Sequence, residues 1–299
     1  MKYDSSLTPD DYRNIIAGCK KTFKNRKGKE GNTFLCSGGI GNILACMYIM
    51  KKAGGGTLYL NTSSINSLPL NQIGTPVIKP VMLNTQLFDY IKPLLEAQSY
   101  IKEVLPYTGT EEITFDLDCY RICYFLPELM DKTQGILMLA LKETWGTAVS
   151  FKKPWIEVPE KKELDRKLII GRSLLWHGGE IMYTIGRDDI TEGGHFVGTQ
   201  TEYISFLNVS SSTPWRLNPA NMLDTAEMVM DAEKVMCNDC ELFWLALSLG
   251  VKSIEFELCP DVYNCLNDNK NVKYFMGDTY MVPDIPFITG KKNKNEQGV

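Results

Sequence analysis

Short apolar runs in this chain alternate with longer stretches in which apolar residues recur at helical spacing, and that alternation predicts an α/β fold. Thr33–Cys36 reads as a buried strand, Ser37 to Asn42 as a glycine-rich turn, and Ile43–Lys52 as a helix stopped by Gly54-Gly55-Gly56. Thr57–Asn61 then reads as a second strand. Strand, helix and strand within about thirty residues make a βαβ unit, with the crossover length a parallel pair requires.

Ahead of this unit, Thr8-Pro9-Asp10-Asp11 is a helix start: a capping hydroxyl, proline at the first helical position and acids in the first turn. Tyr12, Ile15, Ile16, Cys19 and Phe23 then share one helical face. After the unit the pattern predicts a polar loop at Ile65–Gly74 and a short strand at Val77-Ile78. It goes on to a helix from Gln86 to Leu95, with Pro93 marking a kink or restart, a strand at Ile113–Leu117 and a helix at Gly135–Thr144. Lys152–Lys162, with two prolines and dense charge, reads as a linker. A second α/β pattern follows it. Strands are predicted at Lys167–Gly171, Gly194–Val197, Ala232–Met236 and Ser253–Leu258, with helical spacing at Asn221–Asp231 and Glu241–Leu249. Two halves of similar size predict two doubly wound domains facing one another, residues 1–155 and 156–299.

Composition narrows the class without naming a chemistry. The chain has 299 residues, 44% hydrophobic and 23% charged, the balance of an ordinary soluble protein. A net charge of -4 gives no general basic face for a polyanion, and the lysine-rich stretch Lys20–Lys29 is the local exception. The N-terminus lacks the apolar core of a signal peptide, and the apolar runs Gly135–Leu141 and Leu242–Val251 are too short to span a bilayer. The expectation is a cytoplasmic protein. Nine cysteines, an odd count, predict reduced thiols. Cys237-x-x-Cys240 with Cys259 and Cys265 raises zinc, but the later pair has a five-residue spacer, so core and loop thiols are expected and no metal.

Two turns carry candidate chemistry. Ser37, Gly38, Gly39 and Gly41 precede a helix, where backbone N–H groups approach a ligand closely and the helix end favours an anion. Asn238-Asp239-Cys240-Glu241 lies at a second strand-to-helix junction, and Arg172-Ser173 follows another strand. Asp116-Leu117-Asp118 resembles a metal-nucleotide DxD triplet, with nothing around it to support a metal. His177 and His195 are the only histidines.

In their order, these segments resemble the glycosyltransferase family that includes the ADP-heptose heptosyltransferases. Gly39-Ile40-Gly41-Asn42 stands for that family's early G-x-G-D turn. Asn238 to Ala246, ending Gly250-Val251, stands for its late G-N-D-T-G-P-x-H-x-A-x-x-x-G-V segment. Phe196-Val197-Gly198-Thr199, with Glu202 and Tyr203, resembles the strand and loop between the donor-side helices. Leu94–Ile101 and Gly171-Arg172-Ser173 resemble segments of divergent, often phage-encoded, relatives. The resemblance covers most of residues 31–280, thinly.

It implies a GT-B fold, two Rossmann-like domains across a cleft, and metal-independent transfer of a sugar from a nucleoside-diphosphate-sugar to an acceptor hydroxyl. That donor is a co-substrate, and no cofactor is implied. Donor-side residues would be Arg172, Ser173, Gly198, Thr199, Glu202, Asn238, Asp239, Cys240 and Glu241, with the acceptor beside Ser37, Gly38, Gly39 and Gly41. The acceptor is expected to be lipopolysaccharide or another glycan, with a modified base in phage DNA as the alternative, Lys20–Lys29 then touching its phosphates. The chain departs from the family at two places. Asn42 occupies the catalytic position where the family has an aspartate base, leaving Asp116, Asp118, His177 or His195 to replace it. Glu241 and Trp244 replace a glycine and a histidine, which brings a carboxylate toward the diphosphate. A protein that binds nucleotide-sugar without turnover is the other reading.

Overall fold

The computed structural model describes residues 7–62, 83–133, 137–147, 153–165, 167–174, 193–210, 213–257, 271–276 and 279–281. Helix α1 (Pro9–Arg26) opens on a capping box: Thr8 Oγ1 accepts from Asp11 N–H, and the Asp11 carboxylate accepts from Thr8 N–H. Its Ile16, Cys19 and Phe23 are buried, with Tyr12 and Ile15 packed at the edge of the core. Strand β1 (Thr33–Cys36), helix α2 (Ile40–Ala53) and strand β2 (Gly56–Leu60) form the expected βαβ unit. The apolar residues of α2 run round its whole circumference, and a helix of that kind lies inside a protein. Every residue from Ile43 to Met50 is buried. The turn into β2 needs its glycines, since a Cβ on Gly55 (φ 79°) would stand 1.9 Å from the Tyr100 carbonyl oxygen.

Helix α3 (Thr85–Glu96), capped by Asn84, runs through Pro93 without a break. The i−4 carbonyl that Pro93 cannot serve belongs to Asp89 on the exposed face, where water can take its place. Strands β3 (Ile101–Pro106) and β4 (Phe115–Asp116) follow, then a 3-10 helix over Leu117–Tyr124, α4 (Pro127–Thr133) and α5 (Leu137–Trp145). The expected strand Ile113–Leu117 is thus two residues long, because the Asp116 side chain caps Asp118 N–H and turns the chain into the 3-10 helix. The first sheet has the order β3-β2-β1-β4, all parallel.

The second half contains β5 (Leu168–Gly171), β6 (His195–Phe196), α6 (Gln200–Val209), β7 (Trp215–Arg216), α7 (Met222–Val229) and β8 (Lys234–Cys237). Helix α8 (Glu241–Leu249), β9 (Ile254–Glu257), β10 (Val272–Met276) and β11 (Thr279–Met281) complete it. Its sheet runs β11-β10-β9-β8-β5-β6-β7, with β11 alone antiparallel. Counted from β5, this is the order of a dinucleotide-binding sheet with one added edge strand. The first sheet repeats the opening part of the same order. The fold is α/β with two Rossmann-like sheets, the first parallel and the second parallel but for β11. In each, strand order reverses beside the first strand, between β1 and β4 and between β5 and β8.

The halves share one hydrophobic core that includes Phe34, Leu44, Trp155, Leu245 and Phe256. Helices α2 and α3 pack on α8 and α7 respectively. The expected linker is stitched into both halves. Trp155 Nε1 donates to Leu44 O at 2.8 Å, while Trp155 N–H donates to Ser248 O at 3.0 Å. Gln98 and Glu157 exchange two further bonds, each 2.9 Å. No described helix is long and apolar enough to cross a membrane. The loop expected at Ile65–Gly74 and the strand expected at Val77-Ile78 lie outside the described residues.

Candidate functional site

The turn Ser37–Asn42 leaves the carboxyl end of β1 at the first reversal of strand order. Gly38 has φ 101°, and a Cβ there would come within 2.7 Å of Arg121 Nη2. Asp118, buried, fixes the turn: it accepts from Ser37 N–H at 3.1 Å and from Ser37 Oγ. Arg121 closes the cluster, donating to Ser37 O and Oγ, each at 3.0 Å, and pairing with Asp118 at 3.0 Å. Both charged groups are inside and satisfied, so Asp118 holds the loop in shape. Asn42 Nδ2 donates to the Tyr120 hydroxyl at 2.7 Å. Asp116 ends β4 beside them, and burial first, then the Asp118 charge, raises its carboxyl above the ordinary range. Asn42, Asp116 and Asp118 therefore meet around one turn with Ser37, Gly38, Gly39 and Gly41. His195 lies away from it at the amino end of β6, its Nε2 2.7 Å from Asp165. His177 lies outside the described residues.

The second reversal carries Arg172, Ser173 and Asn238. Asn238, wholly buried, accepts from Ser173 N–H at 2.9 Å and donates to Ser173 O at 2.8 Å, tying the ends of β5 and β8 together. Arg172 reaches past β8 to Glu257 at the end of β9, with N···O distances of 3.0 and 3.3 Å. Its charge is thus balanced within the sheet. Trp244 Nε1 donates to Asp239 at 3.3 Å. Cys240 is the N-cap of α8, and the helix opens there with the positive end of its dipole. The Glu241 side chain reaches solvent, yet the protein around it desolvates its carboxyl and raises it, with Glu202 adding to the effect. Thr199 and Glu202 form a capping box at the start of α6, so both are engaged in holding that helix and the Gly198 turn before it.

Arg216 is a functional candidate that sequence reading misses. It ends β7 on the same side of the sheet, donating to Gly198 O at 3.3 Å and Gln200 Oε1 at 3.0 Å. Among the described residues no carboxylate pairs with it. A two-residue strand has no periodicity, so nothing in the sequence marks its end.

The two turns meet. A Cβ on Gly41 would stand 2.5 Å from Trp244 Cδ1, which sets the first glycine turn against the first turns of α8. Tyr90 of α3 bonds Thr225 at 2.9 Å; burial raises its hydroxyl most, and the nearby Glu241 adds to the shift. Burial likewise raises the Tyr124 hydroxyl, with Asp239 contributing across the seam. Two strand-end turns, each at a reversal of strand order, thus pack against one another at Gly41 and Trp244. Among the described residues no group of three or more His, Cys, Asp or Glu could hold a metal ion. Cys259 and Cys265 of the zinc expectation lie outside them.

No protein-family model matches the chain, and no curated protein does. Among solved structures it is similar to the glycosyl transferase family 9 crystal structure from Veillonella parvula DSM 2008. The identity is 10%, the TM-score 0.45, and the match covers 84% of this chain and 87% of that one. So distant a likeness decides neither family nor activity.

Proposed function

We propose that the chain is a glycosyltransferase of GT-B type that moves a sugar from a nucleoside-diphosphate-sugar to a hydroxyl of a glycan. The observation that carries this reading is the meeting of two strand-order reversals, because open α/β sheets bind ligands outside their strand carboxyl ends at such points. The donor diphosphate would lie against the first turn of α8, with Arg216, which ends β7 on the same side of the sheet, as a cation for the donor. The acceptor would lie on the Gly38–Asn42 side. Its hydroxyl oxygen attacks the anomeric carbon as the diphosphate leaves, and Asp116 takes the proton. Among the carboxylates around the first turn, Asp116 suits that role best: Asp118 is held in a buried ion pair, whereas burial raises the Asp116 carboxyl above its ordinary value.

Nucleoside diphosphate released from a panel of nucleotide-sugars tests the reading. Asp116→Asn is expected to lower turnover by about a hundredfold or more while donor binding persists. Failure of every donor, with the parent chain and with Asn42→Asp alike, would count against it.

Binding without turnover is the second reading, favoured by the Asn42 amide, which is committed to the Tyr120 hydroxyl and takes no proton. Calorimetric binding of a nucleotide-sugar in the absence of any transfer or hydrolysis would support it.

A further inference from the structure

At the amino ends of β1, β2 and β3, the opposite end of β1 from the Ser37–Asn42 turn, the surface opens into a cleft of about 420 Å³. That is the size of a small-molecule site. Its walls are the loop after α1, the glycine turn before β2 and the start of β3. They bring Lys29, Glu30, Thr57, Ser99 and Lys102 to one place.

Lys102 owes its position to a break in the strand ladder. Ile101 pairs with Gly56 and Glu103 with Thr57, so Lys102 is an extra residue with no partner on β2. A bulge of this kind re-aims a side chain, and here Lys102 lines the cleft. Among the described residues neither Lys29 nor Lys102 has an acidic partner, and the Thr57 and Ser99 hydroxyls make no hydrogen bond. Capping a helix end is not the lysines' duty either. Helices α1 and α2 both end at this cleft, and backbone N–H groups already serve their last carbonyls. Gly28 N–H donates to Ala53 O at 2.7 Å, Lys29 N–H to Arg26 O at 3.0 Å, and Gly55 N–H to Met50 O at 3.0 Å. Two ammonium groups and two hydroxyls thus border one cleft with no protein acceptor.

We propose that this cleft binds the phosphate monoester of a small sugar. The phosphate takes charge-assisted bonds from Lys29 and Lys102 and further bonds from the Thr57 and Ser99 hydroxyls. Glu30 is the one acid of the lining. Its carboxylate repels phosphate but accepts from a sugar hydroxyl, so a ligand carrying both groups is preferred over free phosphate. The cleft lies apart from both strand-order reversals, and its binding does not rest on the glycosyltransferase reading.

The experiment titrates the full chain with glucose-6-phosphate, glucose and inorganic phosphate in turn, followed by calorimetry and by amide shifts. Saturable binding of glucose-6-phosphate is expected, about tenfold or more tighter than inorganic phosphate, with no saturation by glucose up to about 10 mM. The shifts should centre on Gly31, Thr57, Ser99 and Lys102. Lys29→Ala and Lys102→Ala should each weaken binding by about tenfold, the worth of one charge-assisted bond. Lys21→Ala, on α1 outside the cleft, should leave it unchanged. All three lysines are exposed, so the variants should keep the parent's unfolding midpoint. Four results overturn the proposal: no saturation by glucose-6-phosphate at about 10 mM, or glucose or free phosphate binding as tightly as the ester; shifts centred on Gly38–Asn42 or the first turn of α8; or no greater loss in the cleft variants than in Lys21→Ala. A chain that binds the hexose phosphate here and no nucleotide-sugar refutes the transferase reading alone, and the reverse result refutes only this site.

Discussion

Asn238 holds Ser173 by both of its backbone groups, accepting its N–H at 2.9 Å and donating to its carbonyl at 2.8 Å. No other amino acid offers that acceptor and donor at the same reach except glutamine, which is a methylene longer. Asn238→Ala removes both of these buried bonds to Ser173 and should cost about 2–3 kcal/mol in urea unfolding. Asn238→Asp keeps the acceptor but buries a charge, and should fall at least as far. A loss under about 0.5 kcal/mol in either would mean that the two strand ends are held by something else.

The contact between the halves at Gly41 and Trp244 has a sign that a double-mutant cycle can read. Gly41→Ala places a methyl 2.5 Å from Trp244 Cδ1 and should destabilise by about 1–3 kcal/mol. Trp244→Leu vacates that space, so the alanine should cost about 1 kcal/mol less in its presence. Strict additivity would show that the turn and the helix do not touch in solution.

These two turns also mark how far the sequence could be read. The glycine turn and the two strands beside it were legible because apolar runs and glycines occur there together. Helix α2 starts at Ile40, three residues ahead of the expected Ile43, because Gly39 rather than a polar side chain is the N-cap. Strand β3 was not foreseen, since its burial over Ile101–Pro106 follows no alternation. The partnership of Arg172 with Glu257 joins positions 85 apart in sequence, and only the strand order β9-β8-β5 brings them together. Nothing next to Arg172 in the sequence points to that partner.

The segment between the halves should make them unfold as one. Trp155→Ala removes a side chain that is 1% exposed and bonded to Leu44, at a cost of about 3–5 kcal/mol. Trp155→Phe keeps most of the packing but loses the indole bond to the Leu44 carbonyl, which keeps its helical donor, and should cost about 1 kcal/mol. Calorimetry of the parent chain should show one transition. Two separated transitions would mean that the halves are independent.

Acid sensitivity should concentrate at Asp231. Its carboxylate lies 2.5 Å from Lys161 and 2.8 Å from Leu164 N–H, and it also bonds Lys167. The hydrogen bond from Lys161, then those from Lys167 and Leu164, hold its pKa well below the ordinary 3.8. A depressed folded value gives stability that is present above the unfolded value and lost as pH falls through the folded one. Asp231→Asn should therefore destabilise at pH 7 by about 3 kcal/mol, and the gap to the parent should close as pH drops below about 4. A gap that stays constant from pH 7 to 3 would rule out the carboxylate as its source.

A crystal soaked with a nucleoside diphosphate tests the central claim most directly. The diphosphate is expected against the first turn of α8, within hydrogen-bonding reach of backbone N–H groups beside Cys240 and on the Arg216 side of the sheet. Density for the nucleotide away from both strand-order reversals, or none at saturating concentration, would contradict the account.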